Sequence, residues 1–294
     1  MFVAVDVRRL RTIVGVLLLA AGAVAVLWSE MRHRPRQVAA PALHDASAAG
    51  AASIGAIYRG PAELPWAALA INVDWGEEVL PEMLAVLRWH GVRATFFLTG
   101  RWARKFPDVA RLIAEGGHEI GNHGLDHLHP TELADAELHR LVEENARLLE
   151  SLTGRRPTLF APPYGEVDER VVRVARSAGH YTVMWTVDTI DWQRPAPDVI
   201  LDRVGRRLAP GAIILMHPTQ PALQALPDML RLIAHRGLMV VPVGQMVEAL
   251  EHGGLAGPGV TPDLPGWSSQ GVLAGPGGWA ITRPIDRRPT AGRL

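Results

Sequence analysis

The stretch AALAINVDWGEEVLPEMLAVLRWHGVRATFFL, residues 67–98, contains a strand, a helix and a second strand. AALAINV (67–73) and ATFFL (94–98) are short apolar runs, and Leu80 to His90 has the apolar spacing of a helix and ends at Gly91. Two buried strands joined by a helix run parallel in one sheet. The stretch therefore predicts an α/β fold.

The same alternation continues towards the C terminus. The predicted strands are His118–Ile120, YTVMWTV (181–187), AIILMH (212–217) and LMVVPV (238–243), and TLFAPP (158–163) is predicted to be a strand followed by a turn. The predicted helices are Phe106–Glu115, Ala134–Leu152, Val167–Ser177, Val199–Leu208 and Leu223–His235. Such a series predicts a distorted (β/α) barrel of about seven parallel strands in a single catalytic domain. In barrels of this kind the functional residues lie at the carboxyl ends of the strands.

Composition excludes several classes of function. The 294 residues carry no net formal charge, and no long basic run occurs outside the arginines near the N-terminal apolar segment, so nucleic acid is not an expected partner. The chain has no cysteine. Disulfides, thiol catalysis and thiolate metal sites are therefore excluded, and any metal must be bound by His, Asp or Glu.

Residues 1–36 are predicted to form an N-terminal membrane anchor. Thr12 to Trp28 is an uninterrupted apolar run flanked on both sides by arginines. As a helix it would be roughly 25 Å long at about 1.5 Å per residue, near the lower limit for crossing a bilayer. Its length favours a retained single-pass anchor in the cell membrane, with the catalytic domain outside the cytoplasm. Secretion after cleavage of a signal peptide is the alternative.

The remaining chain divides into three parts. Residues 37–57 are rich in Ala, Ser and Gly and are predicted to be a flexible linker. Residues 58–252 carry the strand–helix alternation and are predicted to be the catalytic domain, whereas the Gly- and Pro-rich residues 253–294 are predicted to be a disordered tail. No feature of the sequence indicates an obligate protein partner.

Residues able to carry chemistry gather at one end of the predicted strands. They are Asp74 after the first strand, His123 and His127 after the third, Pro162 to Gly165 after the fourth, Asp188, Asp191 and Trp192 after the fifth, and His217 at the end of the sixth. The four-residue spacing of His123 and His127 would place both imidazoles on one face of a helical turn, where they can bind one cation. No role is assigned to His118 or His129.

Five segments, in order, carry a family resemblance: NVDWG (72–76), HGLDH (123–127), FAPPYG (160–165), DTIDW (188–192) and LMH (215–217). Together they resemble the five motifs of NodB-type polysaccharide deacetylases, carbohydrate esterase family 4. TFFLTGRWA (95–103) and GHEIGNHG (117–124) are also similar to sequence typical of that family. The WGE signature at 75–77 resembles its sporulation-associated branch.

The resemblance implies a divalent metal, usually zinc, bound by an Asp and two His. Carried over by position, the metal ligands are Asp74, His123 and His127, and Asp74 is also the candidate catalytic carboxylate. His217 corresponds to the general acid and Asp191 to the carboxylate that orients it. The corresponding groove residues are Pro163 and Tyr164, with the Tyr164 N–H at the developing oxyanion, and the hydrophobic walls Trp192 and Leu215.

Two of these residues have a structural alternative. Leu215 can equally be part of the core, because it lies within a strand. Asp188 is more readily interpreted as a turn-capping carboxylate than as a catalytic group.

The first and third motifs depart from the family pattern. The family has two adjacent aspartates, base and then metal ligand, where this chain has one acid. Without a gap, Asp74 aligns with the base and Trp75 with the ligand; aligned on the WGE signature, Asn72 takes the base position and Asp74 lies in the loop near the metal. The arginine that pairs with the base in the family is Ala161 here. We therefore expect a bound metal with impaired catalysis, or proton transfer by Asp74 from a shifted position.

Three functions remain open from the sequence. The leading one is a membrane-anchored hydrolase that removes acetyl groups from N-acetylated glycan outside the cell, with peptidoglycan or a chitooligosaccharide-like chain as substrate. The second is a degenerate domain that binds cell-wall glycan without turning it over. The third is another C–N hydrolase acting on a small amide, which a narrow, closed pocket would favour over an open groove.

Overall fold

The computed structural model describes residues 55–252. In that range the strands are β1 Trp66–Val73, β2 Thr95–Leu98, β3 Glu119–Asn122, β4 Leu159–Phe160, β5 Tyr181–Thr182, β6 Val187–Asp188, β7 Ala212–Met216 and β8 Met239–Val240. The helices are α1 Leu80–Trp89, α2 Gly100–Lys105, α3 Pro107–Glu115, α4 Asp135–Thr153, α5 Glu169–Ser177, α6 Pro197–Arg207, α7 Gln220–His235 and α8 Val243–Glu251, with 3-10 turns at Pro163–Gly165 and Asp191–Gln193.

The predicted anchor, the predicted tail and nearly all of the predicted linker lie outside the described residues. Between residues 55 and 252, no helix is both long and apolar enough to cross a membrane.

The sheet is the framework that positions the site. Its strands lie in the order β5-β4-β3-β2-β1-β7-β6, with β8 paired to β1, and every strand pair is parallel. β5 and β6 lie at the two ends of this order and do not pair with each other, so the barrel is open along one side. These observations confirm the predicted distorted (β/α) barrel.

The central strand β1 has two buried faces. Leu69, Ile71 and Val73 pack into the larger core between the sheet and the helices. Ala68 and Ala70 face the smaller core inside the barrel, beside residues such as Phe97 and Ile213. Because side chains alternate along a strand, Asn72 and then Asp74 continue the inner row towards the carboxyl end. Their position on that row brings them to the rim of the barrel.

The predicted single strand 181–187 is wrong, because the structure divides it between β5 and β6. β5 pairs with β4 at one edge of the sheet, and β6 pairs with β7 at the other. The residues between them cross the open side, where Ile57 pairs with Val183 and the Thr186 N–H donates to the Ile213 carbonyl. The apolar run wrongly predicted one continuous strand, because its residues span the gap between the two edges of the sheet.

The sequence analysis also missed two helices. α2 has only six residues and begins with a glycine, although the Thr99 side chain caps it by accepting from the Trp102 N–H. α8 begins directly after Pro242, inside the segment that was predicted to be a strand up to residue 243. Proline cannot donate to a strand ladder but is tolerated before a helix, which explains this boundary.

His118 supplies a test of the buried part of the fold. Its Nδ1 accepts a hydrogen bond from the Ala94 N–H at 3.2 Å, and its ring meets Phe96 edge-on. Burial, aided by the charge of Arg93, lowers the pKa of His118 to about 4 from 6.5. The unfolded chain therefore binds one proton more than the folded chain between these two pH values, so the stabilisation present above pH 6.5 is lost as the pH falls to about 4.

Replacing His118 with Asn should remove this pH dependence. Asn retains an acceptor for the Ala94 N–H but does not titrate. We expect the free energy of unfolding of the variant to change less steeply between pH 6.5 and 4, by about 1.4 kcal/mol per pH unit for one proton. Urea denaturation at several pH values measures the slope. His235→Asn, at an exposed position in α7, is the control, and equal slopes in both variants would contradict the prediction.

Candidate active site

The candidate site lies at the carboxyl ends of the central strands. Asp74 follows β1, Thr99 follows β2, His123 follows β3 and His217 follows β7. Because all the strands are parallel, these four side chains meet at one rim of the sheet. Three of them, Asp74, His123 and His217, were predicted from separate motifs, whereas Thr99 was not predicted.

His217 and Asp191 form a buried hydrogen-bonded dyad. Asp191 Oδ1 lies 2.8 Å from His217 Nδ1, and Asp191 Oδ2 accepts from the His217 backbone N–H at 2.7 Å. The Thr219 hydroxyl donates to the same Oδ2 at 3.3 Å. Asp191 is completely buried, whereas the His217 side chain is 18% exposed. The contact to Nδ1 leaves Nε2 of His217 free to face a ligand.

A strained turn holds Asp191 in this position. Ile190 has a φ of 51°, a left-handed conformation that is unusual for a β-branched residue. Two hydrogen bonds of Thr189 stabilise the turn. Its hydroxyl donates to the Leu215 carbonyl at 2.9 Å, and its carbonyl accepts from the Arg203 side chain. Asp188 Oδ1 accepts from the Ile190 N–H at 2.8 Å, the turn-capping geometry expected from the sequence.

His123 and His127 are adjacent, but the prediction that a helical turn joins them is wrong. Residues 123–127 form a loop, in which Gly124 has a φ of 78° and His127 a φ of 55°. These left-handed residues bring the two imidazole centroids to 4.9 Å in an edge-to-face arrangement. The same pair therefore meets by a different backbone path.

Both imidazoles are held in the neutral form that a metal requires. Burial lowers the pKa of His123 to about 3, and His127 adds to the effect; burial also lowers the pKa of His127. His123 Nδ1 lies 2.7 Å from the Ala161 carbonyl, so this nitrogen carries the proton and Nε2 is left without one. Two of the predicted metal ligands thus have suitable chemistry.

The third predicted ligand, Asp74, is bound to other groups. Its Oδ1 accepts from Arg101 Nε at 2.6 Å and from the Thr99 hydroxyl at 2.8 Å, and its Oδ2 accepts from Arg101 Nη2. Burial raises the pKa of Asp74, but the hydrogen bonds from Arg101 and Thr99 outweigh burial and the pKa lies below its usual value. A carboxylate in this state is a weak base.

The residues present therefore do not fit the metal that the family resemblance implies. Among residues 55–252, no group of three or more His, Cys, Asp or Glu side chains is arranged to hold a metal ion. Trp75, at the ligand position of the ungapped alignment, offers an indole in place of a carboxylate. Ala161, at the position of the family arginine, gives only its backbone carbonyl to His123.

Exposed aromatic side chains surround the His217–Asp191 dyad. Trp75 is 38% exposed and stacks on the His217 ring, with centroids 5.9 Å apart and planes inclined by 9°. Tyr164 and Trp192 are each about half exposed. Their exposure leaves these aromatic faces accessible to solvent, which does not favour the narrow, closed pocket expected of a small-amide hydrolase. The other two predicted groove residues, Pro163 and Leu215, are both buried.

Tyr164 is supported by the predicted ligand His127 and by residues that were given no role from the sequence. Its ring stacks on His129 with centroids 3.9 Å apart, and His127 meets it edge-on at 4.6 Å. Glu166 holds His129, with Oε1 2.8 Å from Nδ1, and also accepts from the Thr131 hydroxyl. The close stacking maintains Tyr164 in a left-handed conformation with a φ of 60°.

The glycan binding expected from the sequence should weaken when this support is removed. We expect His129→Ala to lower the affinity for a chitooligosaccharide about three- to tenfold, because an aromatic stacking contact contributes about 0.5–1.5 kcal/mol. Isothermal titration calorimetry measures the change. His139→Ala on α4 is a control away from the groove, and an equal affinity in the two variants would show that His129 has no part in binding.

Asn72 also reaches the inner row below the site. It is 5% exposed, and no partner for its Oδ1 is found among the described residues. A neutral amide at this position neither accepts a proton from water nor neutralises a cation. The alignment that puts Asn72 at the base position would therefore leave the site without a general base there.

The fold and the arrangement of the site are those of the polysaccharide deacetylase type, and comparison with known proteins agrees. The model of the polysaccharide deacetylase family matches residues 63–183. A peptidoglycan-N-acetylglucosamine deacetylase of Bacillus cereus is 33% identical over 189 residues, which are 62% of this chain and 69% of that protein. This chain belongs to the polysaccharide deacetylase family.

Two further relatives lie nearer in sequence. The uncharacterized protein YlxY of Bacillus subtilis is 41% identical over 192 residues, and the match spans 65% of this chain but only 60% of YlxY. BA3943 of Bacillus anthracis, described as a CE4 family pseudoenzyme, has a crystal structure with a TM-score of 0.65 and 40% identity that covers 66% of this chain and 69% of BA3943. A mutant of BA3943 is described as having restored enzymatic activity.

Proposed function

We propose that this chain binds N-acetylated cell-wall glycan in the open groove at the rim of its barrel and deacetylates it slowly or not at all. The substrate class is peptidoglycan or a chitooligosaccharide-like chain. The observation that carries the proposal is the state of Asp74, whose two oxygens accept from Arg101 and Thr99. That pairing leaves His123 and His127 without a carboxylate partner.

The groove supports the binding half of the proposal. Sugar rings stack on aromatic faces, and Trp75, Tyr164 and Trp192 present such faces around His217. Trp75 is the distinctive one, because the family places a carboxylate at the corresponding position. Its indole extends the apolar surface of the groove over the His217 ring, where it favours holding a sugar over hydrolysing one.

The similarity to BA3943 supports the catalytic half. A protein of this fold that is described as a pseudoenzyme shares 40% identity with this chain. Catalytic groups that are lost cost orders of magnitude in rate, whereas a stacking groove can persist without them.

The second candidate is a competent metal-dependent deacetylase, and the His217–Asp191 dyad favours it. In that case His123 and His127 would hold the metal, which would supply a Lewis acid for the acetamide carbonyl. Asp191 would hold Nδ1 of His217 so that Nε2 delivers a proton to the leaving amine. Such a dyad has little use in a pure binding protein, which keeps this candidate open.

One experiment separates the two candidates. The full-length chain, with and without added Zn²⁺, is titrated with chitopentaose and with muropeptide fragments of peptidoglycan, and acetate release is measured on the same samples. We expect binding that zinc does not change, and no acetate above the blank. Acetate release that disappears in His217→Ala would establish the deacetylase instead. Absence of binding to either glycan would contradict the proposed function.

A further inference from the structure

Arg101 lies outside the five motifs, and no role was assigned to it from the sequence. It lies in α2, directly after β2, and its guanidinium donates hydrogen bonds to Asp74 from Nε and Nη2. Such a bidentate contact between a guanidinium and a carboxylate is strong and geometrically specific. The side chain of Asp74 is only 9% exposed, so water compensates little of its charge, whereas that of Arg101 is 52% exposed.

The backbone fixes Arg101 to the loop that carries the two histidines. The Gly100 N–H donates to the Gly124 carbonyl at 3.0 Å, and the Arg101 N–H donates to the Leu125 carbonyl at 2.7 Å. Gly100 is itself tightly enclosed, because a Cβ there would lie 2.5 Å from Leu125. Arg101 is therefore tied by its main chain to the histidine loop and by its side chain to Asp74.

We infer that Arg101 is a built-in cation that takes the place of a divalent metal beside Asp74 and excludes metal from Asp74, His123 and His127. A buried carboxylate needs a positive partner, which a metal or an arginine can equally supply. Arg101 is part of the chain and stays close to Asp74. A metal must therefore displace its guanidinium from Asp74 and must also bind next to its positive charge. This inference rests on the proposed function, in which the wild-type chain works without a metal.

The inference predicts that removing the charge of Arg101 creates a metal site. Arg101→Met frees both oxygens of Asp74 next to two neutral imidazoles. We expect the variant to bind one Zn²⁺ at least a hundredfold more tightly than the wild-type chain, measured on the full-length protein by isothermal titration calorimetry. Co²⁺ should give the visible absorption bands of a low-symmetry site in the variant only. Arg104→Met, exposed on the same helix, is the matched control and should not gain affinity.

Two further variants make the result specific. Arg101→Lys keeps a positive charge and should still exclude zinc, and Arg101→Met combined with His127→Ala should lose the new affinity. If Arg101→Met does not fold without metal, Arg101→Gln, which is neutral but still donates a hydrogen bond, takes its place. Its melting temperature should then rise with Zn²⁺ relative to EDTA, while that of the wild-type chain does not.

The possible failures are distinguishable. Zinc affinity that is unchanged in both neutral variants, with a wild-type chain that binds glycan and no metal, would overturn the role of Arg101 alone. One tightly bound zinc in the wild-type chain, accompanied by acetate release, would overturn both this inference and the proposed function.

Discussion

Trp75→Asp should convert this chain into a zinc-binding deacetylase. Position 75 aligns, without a gap, with the second aspartate of the family motif, and the indole there is 38% exposed, so its removal disturbs little of the core. The new carboxylate would join His123 and His127 as a third ligand. Asp74, paired with Arg101, would then stand as the base paired with an arginine, the arrangement that the family resemblance implies.

We expect a large effect from this one substitution. Acetate release from chitopentaose with Zn²⁺ present should rise at least about a hundredfold above the wild-type chain, since a metal that activates water or polarises a carbonyl contributes several kcal/mol. Trp75→Asn is the matched control, because Asn has nearly the same shape as Asp but no charge. This variant should remain inactive. Trp75→Asp without bound zinc would contradict this prediction.

Asp191→Ala should have the largest effect on stability of the substitutions at the site. The carboxylate is completely buried and accepts from the His217 backbone, from Thr219 and from the His217 ring. Its removal leaves these donors unpaired, and each buried hydrogen-bonding group left unsatisfied costs about 1–3 kcal/mol. For a domain of this size we expect the melting temperature to fall by about 10 °C.

The control is a carboxylate that is exposed to solvent. Asp202 on α6 is exposed and pairs with Arg206 at the surface, so Asp202→Ala should cost less than about 1 kcal/mol. Differential scanning calorimetry compares the two variants at pH 7. If Asp191→Ala and Asp202→Ala have equal melting temperatures, the dyad does not stabilise the turn at Ile190.

Most of the fold follows from local patterns. Helices with clear ends, such as α4, which stops at Gly154 in a left-handed conformation, were predicted to within one or two residues. The exceptions, the division of 181–187 into β5 and β6 and the helix α8, depend on which strand edge each residue meets. That depends on how the whole sheet pairs, which the apolar pattern of one segment does not record.

The site was predictable as a set of residues but not in its connections. Motif order and strand ends located His217 and Asp191, and the structure brings them together at 2.8 Å. The pairing of Asp74 with Arg101 was missed, although one signal pointed to it. A buried carboxylate needs a cation, the family arginine is replaced by Ala161, and Arg101 lies inside the similar segment 95–103. Choosing Arg101 over the neighbouring arginines required the position of α2.

The most direct test of the account is the zinc stoichiometry of the wild-type chain. The full-length protein is dialysed to equilibrium against Zn²⁺ and its metal content is measured, with His123→Ala, which removes one imidazole of the pair, treated in the same way. We predict less than one tenth of an equivalent of zinc above His123→Ala at free zinc of about 1 μM, because Asp74 is held by Arg101; this limit corresponds to a binding free energy weaker than about −7 kcal/mol. One equivalent of zinc that is lost in His123→Ala would contradict the account.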